Sequence, residues 1–476
     1  MNAKPTTPTA DHAMPELVLA DRGQAAIAIH LVDKAGLEGW LAKRSAGQRA
    51  QAAAQKFRAE PFSHAILAEG EGWLVVAGVA DAARLSSWCL GRLAEVLPAG
   101  TYRLHPAHAE ADIAPALIGW ALGQYRFARY RKDNGTPPEG PRLLLTKAAK
   151  AIAPALAEAA AVNLVRDLVN TPAEDMGPAD LEHEVERLAR ASRARLHVTR
   201  GEGLEQEFPC VHGVGRAASR HAAPRMIELE WGDPAHPRVA IVGKGVCFDT
   251  GGLDIKPSSA MLLMKKDMGG AAHALALARL VIEAGLKIHL HLLIPAVENA
   301  VAGNAFRPGD VLRSRAGLSV EIGNTDAEGR LILADALAKA GEEKPVLILD
   351  FATLTGAARV ALGPDLPALM ARQDATADAL VAAGAETGDP VWRLPLYEGY
   401  RDYLKSDVAD LNNSPASGFA GAIAAGLFLD RFVPEGVDWA HFDTFAWRPA
   451  GKPGRPKGGD ALGLRAAWAL LRQRFG

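Results

Sequence analysis

At 476 residues, with 49% apolar and 23% charged residues, the chain has the composition of a soluble globular protein and the length of two domains. A formal net charge of −2 excludes an electrostatic case for nucleic acid or an anionic membrane as partner. The N-terminal stretch has no apolar signal core and no run of about twenty apolar residues occurs anywhere, so secretion and membrane spanning are not expected.

The first part alternates strand-like and helix-like segments. Trp73–Ala77 reads as a buried strand, Asp81–Leu97 as a helix, Thr101–Leu104 as a short strand, Ile113–Tyr130 as a helix and Arg142–Leu145 as a closing strand. That order implies a largely parallel sheet, and we assign residues 1–145 to an N-terminal α/β domain without catalytic residues. Cys89, Cys210 and Cys247 are odd in number and widely spaced, which suits a reducing cytoplasm with each thiol a small buried hydrophobe. Residues 146–165 read as a connecting helix, opened by Pro154 and ended near Asn170-Thr171-Pro172, where proline forbids continuation. In the remainder, 166–476, Arg238–Val242, Lys287–Ile294, Leu318–Ile322 and Val346–Phe351 are strand-like, while Gly269–Ala284 and Leu331–Gly341 are helical. Pro449–Gly459 reads as a surface loop.

Two segments carry chemistry. The first, Val242–Pro257, follows a strand, where open α/β sheets bind ligands, and offers Lys244, Asp249 and Lys256, with Asp267 shortly after at a helix head. Its Gly-Lys-Gly is not a Walker loop, because no glycine lies five residues before Gly243 and no Ser or Thr follows Lys244. It is not a dinucleotide fingerprint either, since Phe248 stands where the third glycine belongs. Taken singly, each lysine beside an acid reads as an ion pair.

The second segment is Asn324-Thr325-Asp326-Ala327-Glu328-Gly329-Arg330-Leu331. In an extended segment Asp326, Glu328 and Arg330 would share one face, and two clustered carboxylates call for a cation between them. A calcium loop of the EF-hand type is a rival reading. The strand-like flank before it and an Asp at Asp335, where a bidentate Glu is wanted, argue against that. A solvated acidic turn is the plainest alternative. His273 follows Asp267 by six residues, on another helix face, and reads as a packing histidine.

Asn324–Leu331, together with Gly243–Pro257 and Met264-Lys265-Lys266-Asp267-Met268, resembles the leucine aminopeptidase (M17) family of two-metal exopeptidases. The similarity runs from Arg166 to the C-terminus and includes Arg166–Pro172. It implies a larger C-terminal mixed-sheet α/β/α domain beside the smaller N-terminal α/β domain. It also implies two divalent ions, zinc or manganese with magnesium a further option, bridged by Asp249 and Glu328. Asp326 would complete one site, and Lys244 and Asp267 the other. The ions would share a hydroxide nucleophile and hold the substrate's free α-amine. Lys256 would hydrogen-bond the developing oxyanion and Arg330 would hold a bicarbonate that relays the proton. Met264, Asp267, Thr353, Leu354 and Gly356 would line the substrate site. The resemblance further implies a cytoplasmic homohexamer acting on short peptides with a free N-terminus.

Lys266 departs from the apolar or aromatic residue usual at its place, and Gly418–Ala422 and His441–Trp447 depart from more glycine-rich family segments. The identity of the cleaved residue is therefore left open, between Leu and others. Two alternatives predict different residues. A two-metal phosphoesterase would cluster Arg, His or Asn around these loops, which the chain does not do. A metal-stabilised scaffold would lack Lys256 or Arg330, and both are present.

Overall fold

Residues 14–105, 112–132 and 140–476 are described by the computed structural model. They form two units, one running to Leu164 and taking in Gly451–Pro456, the other Val165–Ala450 with Lys457–Gly476. In the first unit the expected sheet forms from β1 (Val18–Ala20), β2 (Ile27–Val32), β3 (His64–Glu69), β4 (Gly72–Gly78), β5 (Gly100–Leu104) and β6 (Arg142–Thr146). Its order is β1-β6-β5-β2-β4-β3, and every pairing is parallel except the β3–β4 hairpin. Leu74–Ala77 of β4 are fully buried, as an apolar run covered on both faces should be.

Both helices expected in this unit are shorter than the apolar pattern suggested. Only Gly91–Val96 is helical within Asp81–Leu97, because the Asp81 carboxylate accepts the backbone N–H groups of Ala83 and Arg84 and holds a turn. The second helix is Ala114–Leu122, after which the Gln124 side chain bonds both the N–H and the C=O of Arg142 at 2.9 Å. The connecting helix spans Ala149–Asn170, so Pro154 lies inside it and does not open it. As the sixth residue of the helix it leaves the Lys150 carbonyl without its intrahelical donor, and the helix continues past it. All three cysteines are buried and unpaired.

The second unit is built on a nine-stranded mixed sheet. In chain order its strands are β7 (Arg195–Arg200), β8 (Arg225–Trp231), β9 (Arg238–Gly243), β10 (Gly245–Asp249) and β11 (His289–Asn299). A separate three-stranded sheet takes β12 (Val311–Arg313) and β13 (Ser319–Glu321) before the chain returns with β14 (Leu347–Ala352), β15 (Ala368–Ala371) and β16 (Trp392–Arg393). β17 (Leu411–Asn412) joins the smaller sheet and β18 (Trp439–Asp443) the larger. The main order is β16-β15-β18-β14-β9-β11-β8-β7, with β10 paired to β11 alone.

The long β11 serves two partners in turn. His289–Leu293 pair with β9 and Ala296–Asn299 with β10, and the change falls at Pro295, which has no N–H to offer a ladder. Lys244 is the single residue between β9 and β10, so the switch in pairing places it where the sheet opens. The helix Gly269–Ala284, as long as its pattern suggested, packs on β9 and β14 with almost no exposed residue. Gly270 permits that approach, since a Cβ there would lie 2.1 Å from the Phe351 carbonyl oxygen. On the other side the helix Glu328–Gly341 buries Leu331, Ile332, Leu333 and Leu337 in a core shared with Phe428 and Trp439. Pro449–Gly459 is not wholly a surface loop. Trp447–Arg448 and Gly458–Gly459 pair as two short antiparallel strands and are buried.

Candidate metal centre

The carboxyl ends of β9, β10, β11 and β14 converge on one buried cluster. Lys244 enters it because its backbone bridges two elements: its N–H donates to Phe351 in β14 and its C=O accepts from Ala271 at the head of the Gly269–Ala284 helix. Its ammonium lies 2.7 Å from Asp267 Oδ2, 2.9 Å from Glu328 Oε1 and 3.2 Å from the Thr353 carbonyl oxygen. Gly329 is what lets it pass. A Cβ on residue 329 would stand 2.6 Å from Lys244 Nζ, so any larger side chain would displace the lysine.

Asp249 ends β10. Its Oδ1 accepts from Gly251 N–H and from Asn299 Nδ2, each at 2.9 Å, which leaves Oδ2 aimed at Lys256 Nζ, 2.8 Å away. Lys256 also pairs with Asp326, so one ammonium neutralises two acids. Asp249, Asp326 and Glu328 each present an oxygen within 4.8 Å of the others. Of the residues expected to act, Lys244, Asp249, Lys256, Asp267, Asp326 and Glu328 are therefore brought together.

The expectation of an extended Asn324–Leu331 segment is overturned. Thr325 and Asp326 lie in a turn and Glu328 is the first residue of a helix. Asp326 and Glu328 still meet, because the turn is closed by Asn324 Oδ1 accepting the Asp326 N–H at 2.7 Å. Arg330 does not join the carboxylates. Two residues beyond Glu328 in the helix, its guanidinium donates to the Asn413 carbonyl oxygen at 2.8 Å, and its buried Nε has no hydrogen-bond partner among the described residues. Burial holds its pKa down to about 10.

The electrostatics describe a site that demands positive charge. Burial, then the neighbouring Asp249, pushes the Glu328 carboxyl up to about 8. The same two causes push Asp326 up to about 6. Burial works against the Lys244 ammonium, but Asp267, Glu328 and Asp249 outweigh it and hold the proton more firmly than usual. Lys256 is held likewise, chiefly by Asp249. Glu328 Oε2 is buried without any hydrogen bond. A carboxylate oxygen orphaned beside two other acids fits a divalent cation better than it fits a structural ion pair.

Two residues that sequence reasoning missed hold the acids in place. Asn299 Nδ2 bridges Asp249 Oδ1 and the Thr325 carbonyl oxygen, at 2.9 and 3.0 Å. Asn413, fully buried, accepts from Gly323 and Asn324 N–H and donates to the Asn324 and Ala327 carbonyls. Asp443, in the departing His441–Trp447 segment, accepts the Leu354 and Thr355 N–H groups at 3.0 and 3.1 Å and shapes the wall that Thr353 begins. Met264 and Leu354 are half-buried and Gly356 is exposed at the head of the next helix. His273 is a packing residue, as expected. It is buried, stacked on Phe351 with centroids 5.6 Å apart, and bonded to Gly269 and Leu462. A cavity of about 950 Å³ lined by Arg372, Arg393 and Arg401 shares no residue with this cluster, and those arginines are already paired to Asp430, Asp374 and Glu398.

Comparison with known proteins adds a second line of observation. Residues 163–467 match the family model described as the cytosol aminopeptidase family, catalytic domain, and residues 27–144 match that of the M17 aminopeptidase N-terminal domain. A probable cytosol aminopeptidase of Roseiflexus castenholzii is 40% identical over 380 residues, covering 76% of this chain and 77% of the relative. The crystal structure of a cytosol aminopeptidase from Coxiella burnetii superposes with a TM-score of 0.91 at 46% identity, covering 97% of this chain and all of that one. The bottromycin maturation enzyme BotP, in complex with Mn, superposes with a TM-score of 0.85 at 33% identity, over 95% of this chain and all of its own.

Proposed function

The chain belongs to the cytosol aminopeptidase family of metal-dependent hydrolases, and from that premise we propose that its buried carboxylate cluster is a two-metal centre that releases the N-terminal residue of short peptides. The observation that carries this is the meeting of Asp249, Asp326 and Glu328 within 4.8 Å, with Lys244 and Asp267 against the same Glu328. Asp249 and Glu328 would be shared by two ions, with Asp326 on one side and Lys244 and Asp267 on the other. Such ions polarise a scissile carbonyl, lower the pKa of water and accept a free amine as ligand. An internal peptide nitrogen is not basic enough for that last contact, which restricts cleavage to the N-terminus.

The chain's own groups do the rest. Lys256 carries a firmly held proton beside Asp249 and would hydrogen-bond the oxyanion that develops on the carbonyl. Asp267 is fixed by the Thr353 hydroxyl at 2.8 Å and so keeps its other oxygen toward Lys244. Arg330 has an unused buried Nε, and we propose that it holds a small anion, bicarbonate, as the proton carrier that the cluster otherwise lacks. Zinc or manganese is the proposed occupant, and the Mn in BotP favours manganese for the first trial. We also propose a cytoplasmic homohexamer, for which the native mass should be about six times 50.2 kDa.

The deciding assay supplies Mn²⁺ or Zn²⁺ and a panel of aminoacyl anilides with N-acetylated controls. Free substrates should be cleaved and blocked ones left intact. Equal cleavage of both would sink the exopeptidase reading, and no cleavage with any metal would return the scaffold alternative.

A further inference from the structure

Beside the metal centre lies a buried cation without an adequate partner. Lys266 is 5% exposed, and among the described residues its one hydrogen bond is to Asp267 Oδ1 at 3.5 Å, the outer limit of such a contact. An ammonium has three donors and is costly to bury unless they are used. The Lys266 ammonium also lies over the face of Phe445, 5.4 Å from the ring centroid. Arg359 lies over that ring too, at 4.8 Å, and is itself exposed. One aromatic ring therefore carries two cations.

This arrangement sits on the wall of the substrate site. Lys266 follows Met264 by two residues in the same short 3₁₀ turn, and the Asp267 oxygen that it reaches also accepts from the Thr353 hydroxyl. Arg359 belongs to the helix Gly356–Leu362, which continues from the Thr353–Thr355 wall. A residue 269 Cβ would touch both Ala446 Cβ and Thr353 Cγ2, at 2.4 and 3.1 Å, so the chain next to Phe445 runs against that same wall. An uncharged side chain in the neighbouring pocket would leave the Lys266 donors unused. A carboxylate would occupy them, with Arg359 as a second cation at the rim.

Resting on the aminopeptidase reading, we propose that Lys266 and Arg359, both over the Phe445 ring, make this enzyme select peptides with an acidic N-terminal residue, Glu or Asp, over leucine. Lys266 is a specificity residue in this account and takes no part in bond cleavage.

The test uses the full-length, Mn²⁺-loaded protein and the p-nitroanilides of Glu, Gln, Leu and Met. Glu should exceed its uncharged isostere Gln by tenfold or more in kcat/KM. Lys266→Met should lower the Glu-to-Leu ratio by at least tenfold, and Arg359→Ala, a surface change that leaves folding intact, by a few-fold. A wild-type enzyme that treats Glu and Gln alike, or a Lys266→Met variant that loses Glu and Leu activity equally, overturns the proposal. Thermal shift of the loaded protein with free L-glutamate against L-glutamine reads the pocket without turnover. Glutamate should stabilise more, and no difference overturns the assignment. If no anilide is cleaved, the aminopeptidase reading fails, and the thermal comparison still decides whether the pocket prefers a carboxylate.

Discussion

Glu328 and Lys256 both have Asp249 and Asp326 as neighbours yet should fail differently when removed. Glu328, the proposed bridging ligand, has one oxygen orphaned and its pKa pushed up to about 8, a cost that a divalent cation would relieve. Glu328→Ala should therefore lose bound metal and activity together. Lys256 supplies charge but no ligand atom in the proposed centre, so Lys256→Ala should keep two ions per chain while kcat falls by about 10² to 10³. Metal content by plasma mass spectrometry beside kcat separates the two, and loss of metal in Lys256→Ala would contradict the assignment. Gly329 tests Lys244 by sterics alone. Gly329→Ala puts a methyl 2.6 Å from the lysine Nζ, and overpacking of this kind costs about 1–3 kcal/mol. We expect a lower melting temperature and weaker Mn²⁺ binding in calorimetric titration, with Gly329→Ala at wild-type affinity counting against Lys244 as a ligand.

At the scale of elements, the loop between β13 and the Glu328–Gly341 helix depends on Asn413, which makes four hydrogen bonds to its main chain from about ninety residues away. Asn413→Ala would strand buried backbone groups, at about 1 kcal/mol or more each. It should cost about 2–4 kcal/mol in urea unfolding and reduce kcat through a misplaced Asp326. A loss of stability with kcat unchanged would mean that the loop keeps its shape without the clamp. The same contrast explains what was legible in the sequence. Asp326 and Glu328 are recognisable because donor type and local spacing carry their chemistry, whereas Lys244 stands out only through the resemblance of its loop to that of the family. Strands β4, β9 and β14 and the Gly269–Ala284 helix follow from local apolar periodicity. Asn413 and Asn299 were invisible because their value lies in partners that only folding brings near. Asp326–Glu328 was misread as extended for a related reason, since the Asn324 side chain closes a turn that alternation of charge cannot reveal. The helices at Gly91–Val96 and Ala114–Leu122 fell short of their patterns where Asp81 and Gln124 gave the backbone other partners.

Across the whole second unit, His273 joins parts of the chain that lie far apart in sequence. It ties the Gly269–Ala284 helix to β14 by stacking on Phe351, which in turn stacks on Phe442 of β18, and it receives the Leu462 N–H from the C-terminal segment. Its tautomer is set by these contacts: Nδ1–H donates to the Gly269 carbonyl at 2.6 Å and bare Nε2 accepts from Leu462 at 2.9 Å. A second proton would oppose Nε2–H to the Leu462 N–H inside an apolar stack, and burial accordingly holds the pKa down to about 4. The sign follows from linkage. The unfolded chain takes up this proton near pH 6.5 and the folded chain resists it to about 4, so the neutral ring contributes stability above pH 6.5 that drains away as pH falls toward 4. That drop in pKa corresponds to about 3 kcal/mol. His273→Gln should be less stable than wild type at pH 7, and its unfolding free energy should decline less steeply between pH 6.5 and 4. Urea melts at half-unit steps of pH measure both slopes, and parallel curves would show that the acid sensitivity of this fold lies elsewhere.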